Sequence, residues 1–171
     1  WRWWELAGKT IGIIGMGNIG RKVAQIAEAF GMKVCYFSTS GTGHCKDYPC
    51  LELEELLKVS DIVSIHAPLN ERTKNLIGRD QLALMKPTAY LVNMGRGAIV
   101  IEEDLAEAVD NGVIAGAGID VFVTEPVPED HPYLKMRHPE RLRLAPHVAW
   151  ASIEARQRLI AIMADNIAKG V

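Results

Sequence analysis

The sequence predicts a doubly wound α/β domain, a parallel β-sheet held between two helical layers in a three-layer αβα arrangement. Three observations predict it. Short apolar runs of strand length alternate with stretches of helical period, the pattern of strands that cross over through helices to parallel neighbours. A glycine-rich turn, Gly15-Met16-Gly17-Asn18-Ile19-Gly20, separates the first apolar run from the first helical stretch. The chain has 171 residues, 49% of them hydrophobic and 23% charged, which suits one domain with its own core.

The elements follow in order. Residues 10–14 read as the first strand, and 19–30 as a helix with Ile19, Val23, Ile26, Ala27 and Phe30 as its apolar residues. Gly31 ends it as a left-handed cap. Residues 33–37 form the second strand. The polar stretch 38–50 is a loop with room for a short strand near its end. Residues 53–58 make a short helix, 61–66 a strand, 78–85 a helix closed by Lys86-Pro87, and 89–93 the next strand. The helix over 102–111 opens on acidic residues, which the positive end of its dipole favours. Strands at 114–121 and 142–145 complete the sheet. A long helix over 152–169 follows, capped by Ser152, with Ile153, Leu159, Ile160, Met163 and Ile167 on its apolar side. There is no internal repeat and no low-complexity segment.

Composition excludes several function classes. A formal net charge of -2 gives no electrostatic reason to expect nucleic acid or an anionic membrane as partner. No apolar run reaches the roughly 18 residues a bilayer span needs, and nothing resembles a signal peptide. The chain opens on Trp1, so its natural start is expected upstream. Trp1, Trp3 and Trp4 read as packing against a partner domain or subunit. Cys35, Cys45 and Cys50 lack CxxC spacing. Three reduced thiols in a cytoplasmic protein is the reading preferred over a zinc site from Cys45, Cys50 and His44, and no metal is expected.

The glycine turn carries the first chemistry. Gly15 permits a tight turn, Gly17 lets backbone approach a pyrophosphate, and Gly20 lets helix and strand pack closely. The diphosphate would meet the free N–H groups at the helix start, beside Asn18 and Ile19. This is the Rossmann arrangement for a dinucleotide. An acid that binds the adenosine ribose is expected at the end of the second strand. Here that strand runs into Ser38-Thr39-Ser40, with no carboxylate. No Arg stands beside them in sequence and Lys46 is the nearest cation, so NAD is favoured and NADP stays open.

Three further stretches complete a constellation. His66-Ala67-Pro68-Leu69-Asn70 with Thr73 follows one strand, and Asn93-Met94-Gly95-Arg96-Gly97 the next. Asp120-Val121-Phe122 with Glu125-Pro126 precedes Pro146-His147-Val148-Ala149-Trp150. With the glycine turn, these resemble the cofactor domain of the D-2-hydroxyacid dehydrogenases over essentially the whole chain. The resemblance implies that Arg96, Glu125 and His147 form the active site. His147 would protonate the carbonyl oxygen of a 2-oxo acid, Glu125 would orient the imidazole, and Arg96 would grip the substrate carboxylate. Singly, each has a plainer reading: a solvated turn residue, a turn cap and a structural histidine. Gly15, Gly17, Asn18, Ile19, Gly20, Ser38, Thr39, Ser40, His66, Ala67, Pro68, Thr73, Met94, Gly95, Arg96, Asp120, His147 and Ala149 are expected around the cofactor. His66 itself is not expected to be catalytic, and Asp120 is expected to bond the nicotinamide carboxamide, with a strand-end cap as its plainer reading.

The resemblance also implies a second, substrate domain absent from this chain, and a homodimer. Its substrates are small 2-oxo and D-2-hydroxy acids, glycerate and hydroxypyruvate first, D-lactate next. The alternative is a dinucleotide-sensing scaffold, since the same fold serves as a transcriptional corepressor in some relatives. The lack of a basic bias or a long disordered tail disfavours it.

Overall fold

The computed structural model describes residues 4–41, 43 and 45–170. Its strands are β1 (Thr10–Ile14), β2 (Lys33–Phe37), β3 (Ile62–Ile65), β4 (Tyr90–Asn93), β5 (Gly116–Ile119) and β6 (Leu142–Leu144). They pair in parallel in the order β2-β1-β3-β4-β5-β6. The helices are α1 (Asn18–Ala29), α2 (Leu53–Val59), α3 (Arg79–Ala83), α4 (Glu102–Asp110) and α5 (Ile153–Lys169). The chain winds outward from β1 to β2, then returns past β1 to β3. The winding therefore reverses between β1 and β3, and ligands of open α/β sheets bind where it does, at the carboxyl ends of the strands.

Alternate strand residues feed two cores, as the period-two pleat requires. On one face Ile14, Val63, Ile65, Leu91 and Ile119 pack with Leu56 and Leu57 of α2, Leu82 of α3, and Leu105 and Val109 of α4. On the other, Ile11, Ile13 and Tyr36 meet Ala24 and Ala27 of α1. Each fully buried Leu or Ile contributes about 1.5–3 kcal/mol.

The helical layers are unequal. α1 buries its small residues Gly20, Ala24 and Ala27 and leaves Ile19, Ile26 and Phe30 exposed, which corrects the expected apolar side. The reason is the closeness of helix and sheet: a Cβ on Gly20 would lie 2.2 Å from the Gly15 carbonyl oxygen. Only small side chains fit between them. α5 is capped as expected, Ser152 Oγ accepting from Ala155 N–H at 3.1 Å, yet none of its residues is buried. The expected apolar side has no partner among the described residues. The three-layer arrangement thus holds over β1 and β2 and thins beyond them, where Tyr90 is exposed.

Smaller differences concern the loops. β5 is shorter than expected because only Gly116–Ile119 find ladder partners on β4. The short strand expected near residue 50 is a single parallel bridge, Cys50 with Tyr36. Two 3-10 turns, Pro132–Lys135 and Pro139–Arg141, shape the connection before β6. Cys35 and Cys45 are buried, Cys50 is exposed, and all three are free. His44, Trp1 and Trp3 lie outside the described residues; Trp4 is exposed. Among the described residues no group of three His, Cys, Asp or Glu is placed to hold a metal ion. No described helix is long and apolar enough to cross a membrane.

Candidate functional site

The glycine turn and the start of α1 form one wall of the crevice. Gly15 has φ +94°, and its N–H donates to the Phe37 carbonyl at 3.1 Å. A Cβ there would meet Ala67 N at 2.8 Å, so the loops after β1 and β3 touch at the reversal point. Gly17 is the N-cap of α1, with open space where a side chain would stand. No acidic residue sits in the first turn of this twelve-residue helix, and Asn18 and Ile19 are exposed. The unpaired N–H groups and the helix dipole are therefore free to hold a diphosphate.

The loop after β3 forms the next wall. His66 Nε2 and Ser64 Oγ lie 2.9 Å apart. His66 Nδ1 is buried without a hydrogen-bond partner, and burial holds the imidazole's pKa below its ordinary value. A neutral ring with an unused nitrogen suits a polar ligand group better than proton transfer. Thr73, expected at the cofactor, is fully buried. Its hydroxyl donates to the Pro68 carbonyl at 2.7 Å and accepts from Asn70 N–H at 2.8 Å. It shapes the wall from within.

Asn93 sets the loop after β4. Its Oδ1 accepts from Gly95 N–H at 3.1 Å, and its Nδ2 donates to the Arg96 carbonyl at 3.0 Å. Met94 and Arg96 are exposed on this loop while Gly95 is buried. Arg96 Nη1 donates to the Gly95 carbonyl at 2.7 Å, which turns the guanidinium back over the strand ends.

Glu125 and His147 meet across the rim. His147 Nδ1 donates to Glu125 Oε2 at 2.8 Å, and Glu125 Oε1 accepts from Phe122 N–H at 3.0 Å. The His147 proton, the Phe122 amide and, further off, the charge of Arg96 hold the Glu125 carboxyl below the usual carboxylate range. Arg96, Glu125 and His147 are thus within electrostatic reach of one another. Both side chains of the pair stay open to solvent, at 36% for His147 and 37% for Glu125.

His147 has φ +54°, a left-handed backbone that costs a side-chain-bearing residue about 1–2 kcal/mol. Asp120 holds it there. Expected to meet the carboxamide, Asp120 is buried, and its two oxygens accept from Val148 N–H and Ala149 N–H, each at 2.9 Å. Hydrogen bonds to a charged group contribute about 1.5–3 kcal/mol each, enough to offset the strain. The plainer reading of Asp120, a cap at a strand end, describes this geometry. The Ala149 amide, expected near the cofactor, is engaged by the same latch.

A second carboxylate–imidazole pair lies beneath the first. Glu102 Oε1 accepts from Val123 N–H at 3.0 Å, and Glu102 Oε2 lies 3.1 Å from His131 Nε2. Because His131 Nδ1 accepts from Tyr133 N–H at 3.2 Å, the ring proton sits on Nε2 and points at the carboxylate. Phe122, His131 and Tyr133 stack edge-on around it, with centroids 4.8–6.3 Å apart. Gly97 seals the other side: a Cβ there would overlap the Phe122 carbonyl carbon at 2.0 Å. The turn bearing Glu125 is clamped between the Arg96 loop and this buried pair. Nothing in the sequence flags Glu102 or His131, since one reads as a first-turn acid of α4 and the other as a loop residue.

Beyond the end of β2, a cavity of about 520 Å³ is lined by Phe37, Ser38, Thr39, Gly41, Glu52 and Arg72 among others. Ser38 Oγ and Ser40 Oγ lie 3.1 Å apart. Arg72 Nη1 donates to the Ser40 carbonyl at 3.1 Å. The sequence shows no Arg beside Ser38-Thr39-Ser40; the fold brings one there from the β3 loop.

Comparison with known proteins gives a consistent picture. The family model for the NAD binding domain of D-isomer specific 2-hydroxyacid dehydrogenases matches residues 1–149. A glyoxylate reductase of Aeropyrum pernix is 47% identical over 166 residues, 95% of this chain and 49% of that protein. An NADPH-dependent glyoxylate/hydroxypyruvate reductase from Sinorhizobium meliloti, in complex with citrate, superposes with a TM-score of 0.84 at 34% identity, over 94% of this chain and 50% of that one. A D-isomer specific 2-hydroxyacid dehydrogenase from Lactobacillus delbrueckii ssp. bulgaricus, in its NAD complexed form, gives 0.84 at 35% identity, over 97% and 55%. The chain spans about half the length of the curated relatives it matches.

Proposed function

The chain belongs to the D-isomer specific 2-hydroxyacid dehydrogenases, as their NAD-binding domain, and from that premise we propose that it serves the reversible reduction of a small 2-oxo acid to its D-2-hydroxy acid. One observation carries the reading: a solvent-open imidazole bonded to a carboxylate at 2.8 Å, with the charge of Arg96 acting on that same carboxylate. The dinucleotide, held at Gly15, Gly17 and the start of α1, supplies the hydride when bound. The protein's own residues do the rest. Arg96 grips the substrate carboxylate and polarises the carbonyl. His147, held by Glu125 through Nδ1, presents Nε2 to the carbonyl oxygen and donates its proton as the oxygen gains charge. In the oxidative direction Nε2 takes the hydroxyl proton back. Glu125 stays ionised throughout, because its low pKa keeps it from competing for that proton.

Glyoxylate and hydroxypyruvate, named for the relatives, are the proposed substrates, with hydroxypyruvate and glycerate first. Nothing in the geometry or in the relatives' names favours the scaffold reading. The cytoplasm is the proposed setting, which three free thiols suit. A homodimer is the proposed assembly, with the exposed apolar side chains of α1 as its candidate contact; sedimentation of the full-length protein tests it. The activity is tested by following NADH and NADPH consumption by the full-length protein with hydroxypyruvate, glyoxylate and pyruvate. Turnover of at least one is expected, and inertness toward all three with both cofactors would reject the proposal.

A further inference from the structure

The adenosine end of the crevice carries an assignment that the sequence leaves open. A dinucleotide anchored at the glycine turn lays its adenosine ribose beside the end of β2. An acid there accepts from the ribose 2′-hydroxyl and repels a 2′-phosphate; a guanidinium does the opposite. At this end of β2 stand Ser38 and Thr39, which carry hydroxyls and no charge, on the wall of a cavity that Arg72 also lines. Arg72 is fixed by its bond to the Ser40 carbonyl, and its Nη1 lies 3.2 Å from where a Cβ on Gly41 would be. Among the described residues no carboxylate forms an ion pair with it. Glu52 is the only acid on the cavity wall, and its side chain is exposed.

We propose that this cavity takes the 2′-phosphate of NADP(H), with Arg72 as the cation and the Ser38 and Thr39 hydroxyls as neutral donors. The inference rests on the dinucleotide reading above and refines it. A fixed guanidinium meets a phosphate through a planar fork of donors, and small hydroxyl side chains leave room for the group. Glu52 opposes the phosphate across open solvent, where its charge is screened.

The test is calorimetric binding to the full-length protein of NADPH, NADH, adenosine 2′,5′-bisphosphate and adenosine 5′-monophosphate, with the wild type, Arg72→Ala and Glu52→Gln. The wild type is expected to bind NADPH about 10- to 100-fold more tightly than NADH, the range of one or two charge-assisted hydrogen bonds. The bisphosphate should exceed the monophosphate by a similar factor. Arg72→Ala should erase that preference while NADH affinity stays within about twofold, and Glu52→Gln should raise NADPH affinity slightly. The proposal is overturned if NADH binds as tightly as NADPH, if Arg72→Ala leaves NADPH affinity unchanged, or if Glu52→Gln costs NADH affinity, which would make Glu52 the ribose acid. Those three failures leave dinucleotide binding standing; failure of every nucleotide to bind removes the underlying reading as well.

Discussion

Two glutamate–histidine pairs share one turn, and they differ in almost everything but chemistry. Glu102 and His131 are 10% and 4% exposed; Glu125 and His147 are 37% and 36% exposed. Consecutive amides, Phe122 and Val123, donate to Glu125 and Glu102 respectively. In the buried pair both ring nitrogens are engaged, one by Glu102 and one by the Tyr133 amide, so the imidazole has nothing left to offer. In the exposed pair Nδ1 is held and Nε2 faces outward, so orientation is fixed while a proton site stays open. The difference teaches that a carboxylate beside an imidazole is not in itself a catalytic device. What decides the role is whether the second nitrogen is satisfied by the protein or left for a substrate.

The comparison can be broken most directly at His147. His147→Ala in the full-length enzyme should lower kcat by about 10²–10⁴-fold, the usual range for a general acid, while dinucleotide affinity measured by calorimetry stays near wild type. Retained turnover would remove the functional half of the contrast.

The next largest effect concerns stability. Glu102→Gln places an amide where the Val123 amide and His131 Nε2–H both need an acceptor, and should cost about 1.5–3 kcal/mol in urea unfolding. Glu125→Gln, at an exposed site, should leave the unfolding midpoint essentially unchanged and lower kcat instead. If the two variants lost stability equally, burial would not be what separates the pairs.

Asp120→Asn should come next. It removes the charge that latches residues 148 and 149 and so loosens the left-handed His147, with kcat expected to fall about tenfold, one lost hydrogen bond's worth. The smallest effect is in pH dependence. Glu125 has a depressed pKa in the folded protein, so its pairing with His147 is fully present above the ordinary carboxylate range and is lost only as pH falls through the depressed value. Reduction should therefore hold through mildly acidic pH and decline as rising pH removes the imidazole proton, whereas oxidation should rise. Rate profiles in both directions check this, and parallel profiles would contradict the acid–base role.

Much of this was legible in the residues, and the exceptions share a cause. The glycine turn is readable because Gly15, Gly17 and Gly20 serve a local strand–turn–helix geometry. Arg96, Glu125 and His147 are readable because each sits in a short motif at a strand end, and strand ends are where such sheets bind ligands. The rotation of α1 is not readable. Its apolar residues announce a helix, but the face that packs is chosen by the closeness of Gly20 to the sheet, which favours alanines over Ile19, Ile26 and Phe30. Asp120 is half readable: its place at the end of a strand is evident, its duty to the 148–149 amides is not.

The sequence by itself determined what depends on neighbours along the chain: strand and helix periods, the caps at Gly31 and Ser152, the anion-ready start of α1, and the residue types for proton transfer and carboxylate binding. Only the tertiary structure decided which distant groups meet. Glu102 and His131 are 29 residues apart in the chain, Ser40 and Arg72 are 32 apart, and no local pattern records either contact. The reversal of winding between β1 and β3 carries the β3 loop back to β2, and the return of the chain past α4 folds His131 beneath Glu125. Residue chemistry sets which contacts are favourable; the path of the sheet sets which of them form.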